Sequence, residues 1–215
     1  MKAIIKSVPI LCALFSPVIF ACEKPASVCF QDNEGLPLIS DGQPLPIIIS
    51  PSADSAVKRV AEAFSQDIQR VGGKPADISQ NQSISQPAVI IGVLGEDALI
   101  DELVQKGKLD VSQIKGQWEA YKIAVVEKPM PDVEHALVIV GADRRGAIFG
   151  TFEISEQMGV SPWYWFADVP TEQKSNVFIT AGSTQDQPKV RYRGIFINDE
   201  DPALKGWAQK KFGGV

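Results

Sequence analysis

Apolar and polar positions alternate in blocks along the chain, and each block predicts one structural element. Residues 54–71 carry apolar side chains at helical spacing, Ser52 or Asp54 can cap the start, and two glycines follow the end. The apolar positions of this block are Val57, Val60, Ala61, Phe64 and Ile68. We therefore predict an amphipathic helix that packs on the rest of the protein through this face.

The blocks that follow repeat the alternation of strand and helix. The run AVIIGV at residues 88–93 predicts a buried strand, and residues 96–107 predict a second capped helix. Two more strands, in WEAYKIAVVE and HALVIVGAD, are separated by a turn that contains prolines. A last helix is predicted over residues 144–159. Its buried side is predicted to carry Ile148, Phe149, Phe152 and Ile154.

This order of elements predicts the fold class. Strands that alternate with helices over residues 36–159 indicate an α/β or α+β unit with its helices packed on one sheet. Before it, LPLISDGQPLPIIIS contains two short apolar runs joined by a tight turn at Asp41 and Gly42. After it, residues 160–189 are aromatic and then polar, which predicts a connector with one short strand at residues 177–180. The polar residues 22–35 are predicted to form a tether.

A glycine-rich stretch between the last strand and helix, GADRRGAIFG, does not have the spacing of a nucleotide-binding loop. Capping of the helix by Asp143, and close packing of helix on sheet at Gly146 and Gly150, account for its residues. We therefore predict no nucleotide at this site.

The amino terminus has the features of an export signal. Two lysines precede an apolar run that is too short to span a bilayer, and residues 1–21 end in a small residue suited to cleavage. Removal of this segment leaves Cys22 and Cys29, which can form a small disulfide loop, or Cys22 can carry a lipid anchor. The sequence thus predicts a secreted or periplasmic protein without a transmembrane helix.

Charge narrows the range of partners. The 215 residues carry a formal net charge of −5 at pH 7, whereas nucleic acids and anionic membrane surfaces are bound through clustered basic side chains. This balance argues against both, but it is compatible with an acidic sugar, since one carboxylate needs only a local arginine or lysine.

Two segments carry candidate chemistry. Four aromatic side chains in a row, from Trp163 to Phe166, offer flat faces that can stack on sugar rings or pack between domains. Farther on, residues 190–197 predict a strand that ends in Asn198, Asp199 and Glu200. Carboxylates at the carboxyl end of a strand are typical of barrel enzymes, and glycoside hydrolysis requires a pair of them. A solvated turn or a helix cap is the alternative explanation for this cluster.

Two long motifs, GVSPWYWFADVP and VRYRGIFINDEDPALKGWAQKKFGG, closely resemble the amino-terminal region of glycoside hydrolase family 115. Members of this family are exo-acting α-glucuronidases that release glucuronic acid, or its 4-O-methyl ether, from xylan. The resemblance extends from residue 36 to the last residue. It implies an inverting hydrolase that acts on glucuronoxylan or aldouronic acids, needs no cofactor or metal, and in its full-length form can be a homodimer.

The resemblance also implies a domain plan. Residues 1–21 are the signal, 22–35 the tether, 36–183 an α/β domain with its connector, and 184–215 the start of a (β/α)₈ barrel. The α/β domain would be similar to the sheet-and-helix domain that precedes the barrel in hexosaminidases and α-glucuronidases.

Site residues follow from the same resemblance. Asn198, Asp199 and Glu200 match the family's segment at the mouth of the sugar pocket, and Trp163 and Trp165 match the aromatic run near it. The principal catalytic acids are expected beyond residue 215. We accordingly expect an incomplete barrel, with a first strand that has no helix behind it, in a fragment that is inactive by itself. A non-catalytic module that binds carbohydrate or another protein through Trp163 to Phe166 is the competing hypothesis.

Overall fold

The computed structural model describes residues 22, 24–31, 35–81, 85–198 and 204–213, with only the backbone at positions 165 and 166. The predicted signal at residues 1–21 lies outside the described residues. Among the helices that are described, none combines the length and the apolar character needed to cross a membrane.

The described residues form ten strands and five helices. The strands are β1 (Val28–Cys29), β2 (Leu36–Ser40), β3 (Gln43–Pro44), β4 (Ile47–Ile49), β5 (Ile78–Ser79), β6 (Ala88–Val93), β7 (Tyr121–Met130), β8 (Val133–Gly141), β9 (Val177–Ile179) and β10 (Ser183–Asp186). The helices are α1 (Ser55–Gly72), α2 (Ala98–Gln105), α3 (Arg144–Gln157), α4 (Tyr164–Ala167) and α5 (Leu204–Phe212). The prediction of an α/β fold is confirmed.

A six-stranded mixed sheet in the order β10-β7-β8-β6-β4-β5 is the centre of the fold. Strands β5, β4, β6 and β8 run parallel, while β7 and β10 are antiparallel to their neighbours. Strand β6 alternates between two cores, with Val89 and Ile91 on one face and Ala88 and Ile90 on the other. Because both faces are covered, this strand is a continuous apolar run, as parallel strands usually are.

The helices cover the two faces of this sheet unequally. Helices α1 and α3 contribute to the larger core together with β2 and β9, while α2 and the loop after it form the smaller core on the opposite face. The prediction placed all helices on one sheet, and the structure adds a second, four-stranded sheet in the order β1-β9-β2-β3.

Helix α1 confirms the first prediction in detail. Asp54 caps it by accepting a hydrogen bond from the Ala56 N–H at 2.7 Å, and Gly73 ends it in the left-handed conformation. The predicted apolar face is buried, and Phe64 is 0% exposed at its centre. Burial of an aromatic ring of this size is worth several kcal/mol of stability, so this helix fixes one side of the larger core.

Helix α3 has its predicted cap, Asp143, which accepts from the Gly146 N–H at 2.9 Å, but its predicted buried side is confirmed only in part. Ile154 is buried as predicted and Phe149 packs partly buried against the larger core, but Phe152 is 45% exposed. The other buried positions of the helix carry small side chains: Gly146, Ala147, Gly150, Thr151 and Ser155. A Cβ atom added at Gly146 would lie 2.1 Å from the Ala120 carbonyl oxygen. The helix therefore approaches the sheet too closely for large side chains to fit between them.

The small sheet corrects the prediction of a tether. Residues 24–29 pack on the domain, since Ala26 is 0% exposed and β1 pairs antiparallel with β9. A disulfide joins Cys22 to Cys29. The stretch has few apolar side chains, but those it has are buried, and the Ser27 N–H donates to Thr180 Oγ1 at 2.9 Å. The polar composition of residues 22–35 therefore led to the wrong assignment of residues 24–29 as part of a tether.

The tight turn predicted between β2 and β3 is present. Asp41 and Gly42 have φ of 48° and 71°, as the two central residues of a type I′ hairpin turn require. The Gly42 N–H donates to the Ser175 carbonyl at 2.9 Å, which ties the turn to the segment before β9. The hairpin is therefore part of the small sheet.

The prediction of a strand at residues 190–197 is not met in the structure. These residues form no strand, and Tyr192, Ile195 and Phe196 are 87%, 80% and 91% exposed. A strand is held by hydrogen bonds to a neighbouring strand, and no described residue supplies one. The expectation that no helix follows is also wrong, because α5 begins at Leu204.

Candidate functional site

The aromatic run lies on the surface, beside the carboxyl end of α3. Trp163 immediately precedes α4 and is 60% exposed. Its backbone N–H donates a hydrogen bond to Ser161 Oγ at 3.1 Å. The side chains of Trp165 and Phe166 lie outside the described residues. Trp163 thus presents an accessible face, as the prediction of a sugar-stacking or packing surface requires.

Asn198 is exposed, and its carbonyl accepts a hydrogen bond at 3.1 Å from the N–H of Leu204, the first residue of α5. The predicted carboxylates Asp199 and Glu200 lie outside the described residues. Near the other end of α5, Lys211 forms an ion pair with Asp168, which follows α4. A rise of 1.5 Å per residue puts these two ends of α5 about 10 Å apart, so the helix links both predicted binding segments.

Electrostatics support the contact at Asp168. The hydrogen bond and the positive charge from Lys211 together lower the pKa of this carboxyl. Asp168 is in the left-handed conformation, with φ of 50°, where it ends α4. Its carboxylate is therefore ionised at neutral pH and available to hold α5.

A cluster of charged side chains anchors the segment that leads to Asn198. Glu119, whose side chain is 12% exposed, accepts from Arg145 Nε of α3 at 3.0 Å and also pairs with Arg193. Both guanidinium groups lie over the Phe149 ring, at 5.7 Å for Arg145 and 5.1 Å for Arg193 from its centroid. The Glu119 carboxylate and the Phe149 ring together hold Arg193, and with it the first part of residues 190–198, against the α/β domain.

Next to the aromatic run, a cavity of about 370 Å³ opens between α1, α3 and the loop that follows α3. Polar groups on its wall come from Asp67 and Arg70 of α1 and from Ser155 and Glu156 of α3. Its apolar lining is Phe152, Val160, Pro162 and Tyr164. The volume falls in the range of cavities that hold small molecules.

Asp67 is the chemically unusual residue of this cavity. The residue is 6% exposed, and its carboxylate accepts a hydrogen bond from Arg70 Nη1 at 2.6 Å. The Arg70 guanidinium also lies 4.4 Å from the centroid of the Tyr164 ring. Burial raises the pKa of Asp67, and the neighbouring Ser155 hydroxyl and the Arg70 charge oppose that rise in part. The site thus holds an ionisable group at the edge of the core.

Ser155 is 2% exposed, and its Oγ is buried away from solvent. A weak hydrogen bond from this hydroxyl to Asp67 lowers the pKa of that carboxyl. A buried hydroxyl normally has a partner, and for Ser155 that partner is Asp67.

The sequence analysis missed the cavity and the anchor, although Asp67 left a signal. It lies on the apolar face of α1, between Phe64 and Val71, where a carboxylate is unusual. Glu119 left no such signal, since its partner Arg193 is 74 residues away. Ion pairs over such separations are not visible in local patterns.

A family model and a solved enzyme both match this chain over the segment that contains the motif RGIFINDE or the α/β domain before it. Residues 185–215 match the model of glycosyl hydrolase family 115. A solved family 115 4-O-methyl-α-glucuronidase with specificity for decorated arabinogalactans superposes with a TM-score of 0.68 at 36% identity. That similarity covers 82% of this chain, which spans 22% of the length of the solved protein.

Other solved structures are more distant. A family 20 β-N-acetylhexosaminidase from Streptomyces coelicolor A3(2) has 15% identity and a TM-score of 0.42 over 79% of this chain and 26% of its own. A family 20 exo-β-N-acetylglucosaminidase from Vibrio harveyi has 16% identity and a TM-score of 0.40, over 79% and 19%. Likenesses this weak carry no functional argument. No curated protein sequence matches the chain.

Proposed function

Since the chain belongs to glycoside hydrolase family 115, we propose that it is the amino-terminal part of an exo-acting α-glucuronidase. The observation that carries this proposal is the continuity of the similarity. The α/β domain resembles a solved glucuronidase at 36% identity, and the family match over residues 185–215 includes the motif RGIFINDE. Domain and motif thus point to the same enzyme.

In this proposal residues 190–197 are the first strand of a barrel, and Asn198, Asp199 and Glu200 stand at the mouth of its sugar pocket. The Asn198 amide would hold a sugar hydroxyl, and the two carboxylates would accept hydrogen bonds from others. The bond itself would be cleaved with inversion by two further carboxyl groups about 6.5 to 9.5 Å apart, on barrel strands that follow. The exposure of Ile195 and Phe196 supports this, because a barrel would bury such side chains.

The sugar released would be glucuronic acid or its 4-O-methyl ether, and the polymer would be glucuronoxylan. The solved relative favours a second polymer, since it is specific for decorated arabinogalactans. Parallel assays on both polymers decide between them.

The site of action would be outside the cytoplasm, after removal of residues 1–21. The Cys22–Cys29 disulfide supports this proposal, since such bonds persist in oxidising compartments. A lipid on the Cys22 sulfur is incompatible with that disulfide. The mass of the mature chain purified from its host, with and without reduction, distinguishes the two forms.

A second candidate function is a non-catalytic carbohydrate-binding module. It is favoured by Trp163, which is 60% exposed and lies in the chain between Pro162 and Tyr164, two residues that line a cavity. An exposed indole ring is suited to stacking on a sugar ring. This module would bind xylan without the barrel, and Trp163→Ala would abolish the binding.

The test is an assay for released uronic acid with two proteins. The first is the 215-residue chain alone, which we expect to release none from aldouronic acids. The second is a chimera in which this chain replaces the matching region of the solved glucuronidase, and which we expect to be active. In the chimera, Asp199→Ala should lower kcat/KM at least tenfold, or about 1.4 kcal/mol of transition-state stabilisation. Release by the chain alone, or a chimera unaffected by Asp199→Ala, would contradict the proposal.

A further inference from the structure

The cavity between α1, α3 and the loop after α3 has the features of a binding site, and no part of the proposed catalytic mechanism uses it. Its volume of about 370 Å³ suits a small ligand, and its lining includes Pro162 and Tyr164, the chain neighbours of Trp163. Two of its polar side chains, Asp67 and Ser155, are more than nine-tenths buried at 6% and 2% exposure. Groups buried this deeply are costly unless they make hydrogen bonds.

Hydrogen-bonding capacity in the cavity is only partly used. Asp67 Oδ1 accepts from Arg70, and the Ser155 hydroxyl makes a weak hydrogen bond to Asp67 that leaves its oxygen able to accept. A ligand hydroxyl is the group that matches both, because it can donate to a carboxylate oxygen and to a serine oxygen. The cavity therefore favours a ligand rich in hydroxyl groups.

Charge defines the ligand class further. The lining contains two carboxylates, on Asp67 and Glu156, against the single guanidinium of Arg70, and that guanidinium is already paired with Asp67. An anionic sugar such as a uronate would be repelled. The Phe152 ring is 45% exposed at the same cavity and offers an apolar face to a sugar ring.

We propose that this cavity is a binding site for a neutral pyranose, in which Ser155 and Asp67 hydrogen-bond the sugar hydroxyls and Phe152 contacts the ring. The site is separate from the proposed uronate pocket at Asn198 to Glu200. It requires only the α/β domain, so its test is independent of catalytic activity.

The experiment is a titration of the 215-residue chain with xylobiose, followed by amide chemical shifts. We expect saturable shifts at Ser155 and Val160 with a Kd on the order of 1 mM. Sodium glucuronate should cause none at the same positions. Absence of shifts up to ~50 mM xylobiose would overturn the proposal, as would equal binding of glucuronate or shifts centred on Trp163 alone.

Two buried serines provide matched variants. Ser155→Ala removes a hydroxyl whose hydrogen bond to Asp67 is weak, so we expect a nearly unchanged melting temperature and xylobiose binding at least about fivefold weaker. Ser65→Ala removes a hydroxyl that donates to the Ala76 carbonyl at 2.7 Å, so we expect a lower melting temperature and unchanged binding. Phe152→Ala should weaken binding without unfolding the chain. If Ser155→Ala binds as the parent does, the proposal is wrong.

Discussion

Strand β6 and residues 195–197 are both apolar runs, yet only the first becomes a strand. Every residue of β6 is buried, because β4 and β8 pair with it on either side and helices cover both faces. Residues 190–198 have no such neighbours among the described residues, and Phe196 is 91% exposed. The difference shows that strand formation here depends on a hydrogen-bonding neighbour and not on the local pattern.

The largest expected effect separates the interior of the α/β domain from this exposed segment. Phe64→Ala deletes a ring that is 0% exposed and should lower the free energy of unfolding by about 3 to 5 kcal/mol. Phe196→Ala deletes a ring of the same size that is 91% exposed, and should change it by less than about 0.5 kcal/mol. Urea unfolding of both variants measures the difference, and equal midpoints would refute it.

A pair of glycines sharpens the same comparison. Gly146→Ala forces a Cβ atom to within 2.1 Å of a backbone oxygen, so the helix must move and we expect a loss of about 1 to 3 kcal/mol. Gly206→Ala, in α5, meets nothing within 4 Å and should if anything stabilise the helix, by up to about 1 kcal/mol. Urea midpoints that fall together in both variants would contradict the close approach of α3 to the sheet.

A smaller effect is expected where the two regions meet. Glu119→Gln weakens the pairing with Arg145 and Arg193, so residues 190–198 should detach more often, at a cost of about 1 kcal/mol. Trypsin should then cleave after Arg193 several-fold faster, while the melting temperature of the domain changes little. Glu127→Gln, at an exposed position of β7, is the control. Equal cleavage rates in the two variants would show that the anchor does not hold the segment.

The smallest effect concerns pH. Burial raises the pKa of Asp67 above its usual value of 3.8, so the folded protein binds this proton more tightly than the unfolded chain does. The contribution of Asp67 to stability therefore falls as pH rises from about 3.8 through the raised pKa. The Asp67→Asn variant has no carboxyl to titrate at this position. As pH rises from acidic to neutral, the melting temperature of the parent should therefore fall relative to that of the variant. Parallel pH profiles of melting temperature would contradict the assignment.

Local signals predicted the elements that depend on neighbours in sequence. The cap Asp143 and the turn at Asp41 and Gly42 were predicted, and Asp54 was one of two candidate caps, because their geometry depends on a few adjacent residues. The buried side of α3 was predicted correctly at Ile154 but wrongly at Phe152, because the distance between helix and sheet is a long-range property. Strand β10 was missed because it is polar and lies at the edge of the sheet.

The site residues stay predictions, because Asp199, Glu200 and the Trp165 side chain lie outside the described residues. The exposure of Trp163 agrees with a surface for stacking or packing, but the cavity near it in the chain depends on how α1 and α3 pack. The sequence could not indicate that Ser155 of α3 would be buried beside Asp67 of α1. Such a property follows from three-dimensional packing alone.

Hydrogen exchange on the isolated chain tests most directly whether residues 190–198 are a barrel strand that lacks its neighbours. The account predicts rapid exchange of amides after residue 190, beside slow exchange in β6 and β8, and slow exchange of the same segment in the chimera with the solved glucuronidase. Slow exchange at residues 195–198 in the isolated chain would contradict the account, because the segment would then belong to the α/β domain.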